Sequence, residues 1–68
     1  MSKINIIVNG KEQEITENQS IEQLLVEMEI KSPMLVVERN RAIIPKERYH
    51  EVINEGDRFE IVAFFGGG

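Results

Sequence analysis

Cysteine and tryptophan are absent from this chain of 68 residues, which also has only two prolines, one tyrosine and one histidine. Without cysteine there is no disulfide to staple a fold, no thiolate ligand for zinc and no thiol nucleophile. If the protein handles sulfur, a cysteine of its own does not hold it. The lone histidine, His50, has no second His or Cys with which to complete a metal site and reads as a surface or hydrogen-bonded residue. Basic charge is scarce too: eight Lys and Arg against twelve Asp and Glu leave a net charge of −4. That is the wrong sign for neutralising nucleic-acid phosphates. No apolar run approaches membrane-spanning length, and no charged-then-apolar leader precedes the first strand. The expectation is a cytoplasmic protein with neither nucleic acid nor membrane as partner. A chain this short buries only about 60% of its unfolded surface, enough for one small core but not for a deep cleft. A carrier or binding role is therefore favoured over an enzyme, with no catalytic residue, no metal and no bound cofactor.

What is present is a clear alternation of elements. Residues 3–8 read as a strand with Ile4, Ile6 and Val8 on one face. Asn9-Gly10 follows, the strongest short hairpin signal, because a type I′ turn needs positive φ at both central residues. Residues 11–16 return as a more polar strand suited to a sheet edge. Ser20 opens the one helix and forms a capping box with Gln23; Ile21, Leu24, Leu25 and Met28 make a single apolar stripe. Pro33 bars helix beyond Ser32. A third strand spans 34–39, a turn at Asn40-Arg41 leads to a short fourth at 42–44, and Pro45 stops it. Residues 46–54 read as irregular with a helical turn, Glu55-Gly56-Asp57 as a turn, and 58–64 as the last strand. One helix across one face of a mixed sheet is an α+β two-layer domain. The stripe is expected to cover Ile4, Ile6, Val8, Leu35, Val37, Phe59 and Ile61.

The chain ends in Gly66-Gly67-Gly68, directly after this last apolar strand. Glycine lacks a Cβ, so such a backbone passes through a channel too narrow for other residues. Extended, Phe65 and the three glycines would reach on the order of 10–14 Å, enough to place the terminal carboxylate in a partner's active site. The organisation expected is a domain over residues 1–65 with a flexible tail over 66–68.

These residues resemble the ThiS family of thiamine-biosynthesis sulfur carriers, within the ubiquitin-like β-grasp superfamily. The resemblance covers nearly the whole chain. Its most specific parts are Val36-Val37-Glu38-Arg39-Asn40-Arg41-Ala42-Ile43-Ile44-Pro45, then Glu55-Gly56-Asp57-Arg58-Phe59-Glu60-Ile61-Val62, then the glycine tail. The Asn9-Gly10 turn and the Ile21-x-x-Leu24-Leu25 helix match as well. The resemblance implies a sheet with its first and last strands parallel and central. It also implies a chemistry. A ubiquitin-activating-type (ThiF-like) adenylyltransferase uses ATP to convert the Gly68 carboxylate to an acyl-adenylate. Sulfur from a cysteine-desulfurase persulfide then displaces AMP, leaving a thiocarboxylate that feeds a thiazole synthase (ThiG-like). The carrier would be a cosubstrate, monomeric when free, with Gly66 and Gly67 entering the partner's channel. Family members commonly end in two glycines, so a trimmed chain would pass the role of Gly68 to Gly67.

Strand alternation that sends Phe59, Ile61 and Ala63 toward the helix sends Val62 and Phe64 to the opposite face. Ile7 points the same way. Ile7, Val62 and Phe64 are expected to form an exposed docking patch, with Phe65 anchoring the tail root. Arg39 and Arg41 carry no chemistry in this reading. Ser20 as a phosphopantetheine site is disfavoured, because such carriers are helical bundles. Two nearer alternatives stay open: a molybdopterin-synthase small subunit with the same terminal thiocarboxylate, and a ubiquitin-like protein modifier joined to target lysines.

Overall fold

The computed structural model describes residues 2–64. The hairpin comes first: β1 (Lys3–Val8) and β2 (Lys11–Thr16) pair antiparallel in the register Val8↔Lys11 to Lys3↔Thr16. Asn9 and Gly10 both take positive φ, 51° and 83°, which is the conformation that makes a two-residue turn follow the strand twist.

Helix α1 (Ile21–Glu27) is only two turns long, and its start is over-determined. The first amides of a helix have no intrahelical acceptor. Here the N–H of Ile21 donates to Glu51 O, that of Glu22 to Tyr49 O, and that of Gln23 to the Ser20 hydroxyl. The Gln23 side chain closes the capping box by accepting the Ser20 N–H at 2.9 Å. At the other end, Ile30 N–H reaches Leu25 O and Glu29 N–H reaches Val26 O, the double bond of a Schellman motif. Glu29 occupies the left-handed position there, with φ 59°. The helix thus ends well before Ser32, which Pro33 allowed as its outer limit.

Strand β3 (Met34–Arg39) turns through Asn40-Arg41 into a two-residue β4 (Ala42–Ile43), one residue shorter than expected. A 3₁₀ turn over Lys46–Arg48 follows, and β5 (Arg58–Phe64) closes the chain of elements. The sheet order is β2-β1-β5-β3-β4, with β1 and β5 parallel at the centre and β3 antiparallel to β5.

Phe59, Ile6, Ile21, Leu24, Ile53 and Val37 are fully buried between α1 and the sheet. Burying each such side chain contributes about 1.5–3 kcal/mol relative to leaving it in water. Ile4 and Leu35 pack at the margin of the core, and Ile15, Ile44 and Ile53 belong to it as well, although the helical stripe alone did not assign them. Ile53 enters because residues 49–53 are tied to the helix start: besides the two amide bonds above, Ile53 N–H donates to Gln19 O at 2.8 Å.

Candidate functional site

The open face of the sheet, opposite α1, is where the chain is unusual. Register places Val62 beside Val36 and Phe64 beside Met34. All four are exposed, at 48%, 38%, 52% and 63% respectively. They form one contiguous apolar patch at the C-terminal end of β5. Single exposed apolar residues need no explanation, but a grouped set does. Glu38 and Glu60, directly opposite one another, close the patch on the side away from the tail, and exposed Ile43 stands beside Glu38.

Ile7 is not part of this patch. It lies on the same face, but its partner on β5 is Arg58, and its partner on β2 is Glu12. Val62 is four residues further along β5, about 13 Å at the rise of a strand. Ile7 is also only half-exposed. Alternation assigns a face and says nothing of register, so it does not separate Ile7, on β1 beside the start of β5, from Val62 and Phe64 near its end. Met34, Val36 and Ile43 join this face through β3 and β4, whose pairing no local pattern in the sequence specifies. Phe65, Gly66, Gly67 and Gly68, the expected tail root and tail, lie outside the described residues.

Behind the patch, β5 is held in place by polar side chains. Arg39, on the helix face, donates from Nε and Nη2 to Asp57 Oδ2 at 3.0 and 2.7 Å, and from Nη2 to Val52 O at 2.9 Å. Asp57 is buried and its carboxylate also accepts the Asn54 N–H and the Asn40 amide. The guanidinium lies 5.9 Å from the Phe59 ring centroid. Arg39 therefore locks the 52–57 loop to the start of β5, a structural role that reading the turn alone could not show.

Glu51 bridges Arg39 at 3.4 Å and Arg48 at 2.6 Å. The Arg48 hydrogen bond holds the Glu51 carboxyl below the usual carboxylate range. Burial pushes the Tyr49 phenol up. His50 is exposed and its Nδ1 lies 3.0 Å from Glu47 O. Among the described residues no group of His, Asp or Glu is arranged to hold a metal ion, and no helix is long and apolar enough to cross a membrane.

A domain of this kind, a β-grasp sheet with one helix and an apolar patch at the end of β5, belongs to the ubiquitin-like class. The comparisons narrow it further. The model of the ThiS family matches residues 6–68, so the chain belongs to the ThiS family. It is 48% identical over 50 residues to the sulfur carrier protein ThiS of Bacillus subtilis, covering 72% of this chain and 76% of that one. It is 42% identical over 66 residues to a thiazole synthase of Paramagnetospirillum magneticum, covering 96% of this chain but only 20% of that longer protein's length. The crystal structure of a thiamine biosynthesis protein (ThiS) from Geobacter metallireducens superposes with a TM-score of 0.80 at 28% identity, covering 96% of this chain and all of the other.

Proposed function

We propose that this chain is a sulfur carrier for assembly of the thiamine thiazole ring, acting as a cosubstrate and not as an enzyme. The observation that carries the proposal is the extent of the family match, which runs through the glycine tail to Gly68. A free carboxylate is a poor acyl donor, because its leaving group would be oxide. Transfer of AMP from ATP by a ubiquitin-activating-type (ThiF-like) partner, with release of pyrophosphate, gives Gly68 a good leaving group. A persulfide supplied by way of a cysteine desulfurase attacks the acyl carbon and expels AMP. Thiol cleavage of the resulting acyl disulfide leaves sulfur on Gly68 as the thiocarboxylate. Gly66 and Gly67 occupy the partner's channel in this scheme, and ATP is bound by the partner.

The apolar patch of Met34, Val36, Val62 and Phe64 is the surface we assign to partner docking, in place of a patch that includes Ile7. It sits at the end of β5 from which the tail departs, so a partner seated on it is within reach of the terminus. The thiazole synthase match supports an enzyme of that kind as the acceptor.

The test is intact mass after incubation with ATP, an activating enzyme and a sulfur donor. A gain equal to oxygen replaced by sulfur, absent when Gly67 and Gly68 are deleted, is the expected result. An unchanged mass, with the same enzyme competent on another carrier, would overturn the reading. In the same assay Val62→Asp and Phe64→Asp should slow adenylation by at least tenfold while the fold persists, as loss of a central docking residue does. Unchanged rates in both variants would remove the patch from the scheme.

A further inference from the structure

The end of β5 is less firmly held than its start. At Phe59 the strand is paired on both sides, with Val8 of β1 and Arg39 of β3, and Arg58 is paired with Ile7. Beyond Val8 the chain of β1 turns away, and the Asn9 side chain supplies the last contacts from that side, to Ile61. Val62, Ala63 and Phe64 are paired with β3 alone. Their partners Val36, Leu35 and Met34 are themselves the first residues of β3. Among the described residues the outermost rung of this ladder is Met34↔Phe64.

Ser32 stands immediately beyond that rung. Its hydroxyl oxygen accepts the Met34 N–H at 3.1 Å. The same hydroxyl lies within hydrogen-bond distance of the carbonyls of Phe64 and Met34, the second at 2.9 Å. One short side chain thus ties the connection after α1 to both strands at once. The Schellman turn at Glu29 and the packing of Ile30 on the core hold that connection to the body of the domain. Phe64 is the last residue before the segment that leads to Gly68.

We propose that Ser32 is a positioning residue: its hydroxyl fixes the position and direction of Phe64, the last described residue of β5, from which the chain runs on toward Gly68. The consequence for reaction rests on the sulfur-carrier reading above. A tail whose root is fixed samples fewer directions before it enters a partner's channel, so less ordering is required on binding. A tail released at Phe64 starts from a wider range of directions and is captured less efficiently.

Two measurements on the full chain test this, with Ser32→Ala and Ser32→Thr compared with the parent. Backbone ¹⁵N relaxation of the free protein should show larger-amplitude motion at Ala63 and Phe64 in Ser32→Ala, and Ser32→Thr should restore the parent values. In adenylation by the activating enzyme, Ser32→Ala should lower kcat/KM for the carrier about fivefold, mostly through KM, the size expected for one lost net hydrogen bond. The thermal midpoint should move little, whereas a merely destabilised variant would lose midpoint in step with activity. Relaxation unchanged at Ala63 and Phe64 overturns the positioning role whatever the enzyme does. Altered relaxation with unchanged kinetics, where the parent chain is adenylated normally, overturns its importance for the reaction. A parent chain that is not adenylated refutes the carrier reading instead, and the relaxation data then decide the positioning alone.

Discussion

The side chain of Asn9 grips the peptide of Ile61 from both sides: Oδ1 accepts the Ile61 N–H at 2.7 Å and Nδ2 donates to the Ile61 carbonyl at 3.3 Å. A primary amide has the same donor and acceptor as a peptide group. Asn9 therefore continues the β1–β5 ladder with its side chain while its backbone, at φ 51°, has already turned into the hairpin. One residue serves the turn and the central strand pair together.

Asn9→Gly separates these two roles. Glycine accepts the positive φ without strain, so the turn persists and only the two bonds to Ile61 are lost. The expected cost is about 1–2 kcal/mol, read as a lower urea midpoint with unchanged slope. A variant as stable as the parent would mean that water replaces the amide at no cost.

Asp57 and Arg39 form the buried polar hub, and their removal should not be equivalent. Asp57→Ala strips the acceptor from Arg39, Asn40 and the Asn54 N–H together. Arg39→Ala leaves the Asp57 carboxylate with two of its donors. Breaking a buried pair costs about 3–5 kcal/mol, a large share of what a small domain has. Denaturant unfolding should place Asp57→Ala at the greater loss, and the reverse order would show that the contacts of Arg39 with Val52, Glu51 and Phe59 outweigh those of Asp57.

Two residues in the left-handed region should respond in opposite senses to substitution. Glu29, at φ 59°, fills the helix-end position that glycine usually takes, and Glu29→Gly should stabilise by about 0.5–1 kcal/mol. Gly56, at φ 85°, has open space where a Cβ would stand, so Gly56→Ala should destabilise by about 1 kcal/mol through backbone strain alone. Thermal midpoints moving the same way for both would contradict the assigned conformations.

Tyr49 gives an alkaline signal. Burial raises its pKa, so the fold favours the neutral phenol. That contribution is complete below the unfolded pKa and is lost as pH rises through the folded one. Because the chain has one tyrosine and no tryptophan, phenolate absorbance reports this residue directly. The titration midpoint should lie above that of the urea-unfolded chain, with stability declining across the interval. Coincident midpoints would refute the burial effect.

Much of this fold was legible from local chemistry. Asn9-Gly10 specified its turn, Ser20 and Gln23 their capping box, and alternation the extents of β1, β2, β3 and β5, because each depends on neighbours in sequence. The contacts that escaped are those set by register. By alternation Ile7 shares a face with Val62, although the β1–β5 pairing brings Ile7 to Arg58. Val36 and Met34, equally apolar and on that same face, join Val62 and Phe64 only once β3 is laid antiparallel to β5. Arg39 and Asp57 are 18 residues apart in sequence, and nothing local to either points to the other. Ile53 sits in a segment that reads as irregular, because its burial depends on amides at the start of a helix much earlier in the chain, at Ile21 and Glu22.

The central placement of β5 has a mechanical consequence. A force applied at Phe64 along the axis of β5 acts on a strand flanked by β1 at its base and β3 along its length. Sheet hydrogen bonds lie mainly across that direction. They are loaded together in shear instead of being peeled open one at a time. A load along β5 is therefore shared among its rungs with β3 and β1 before any single one must give way.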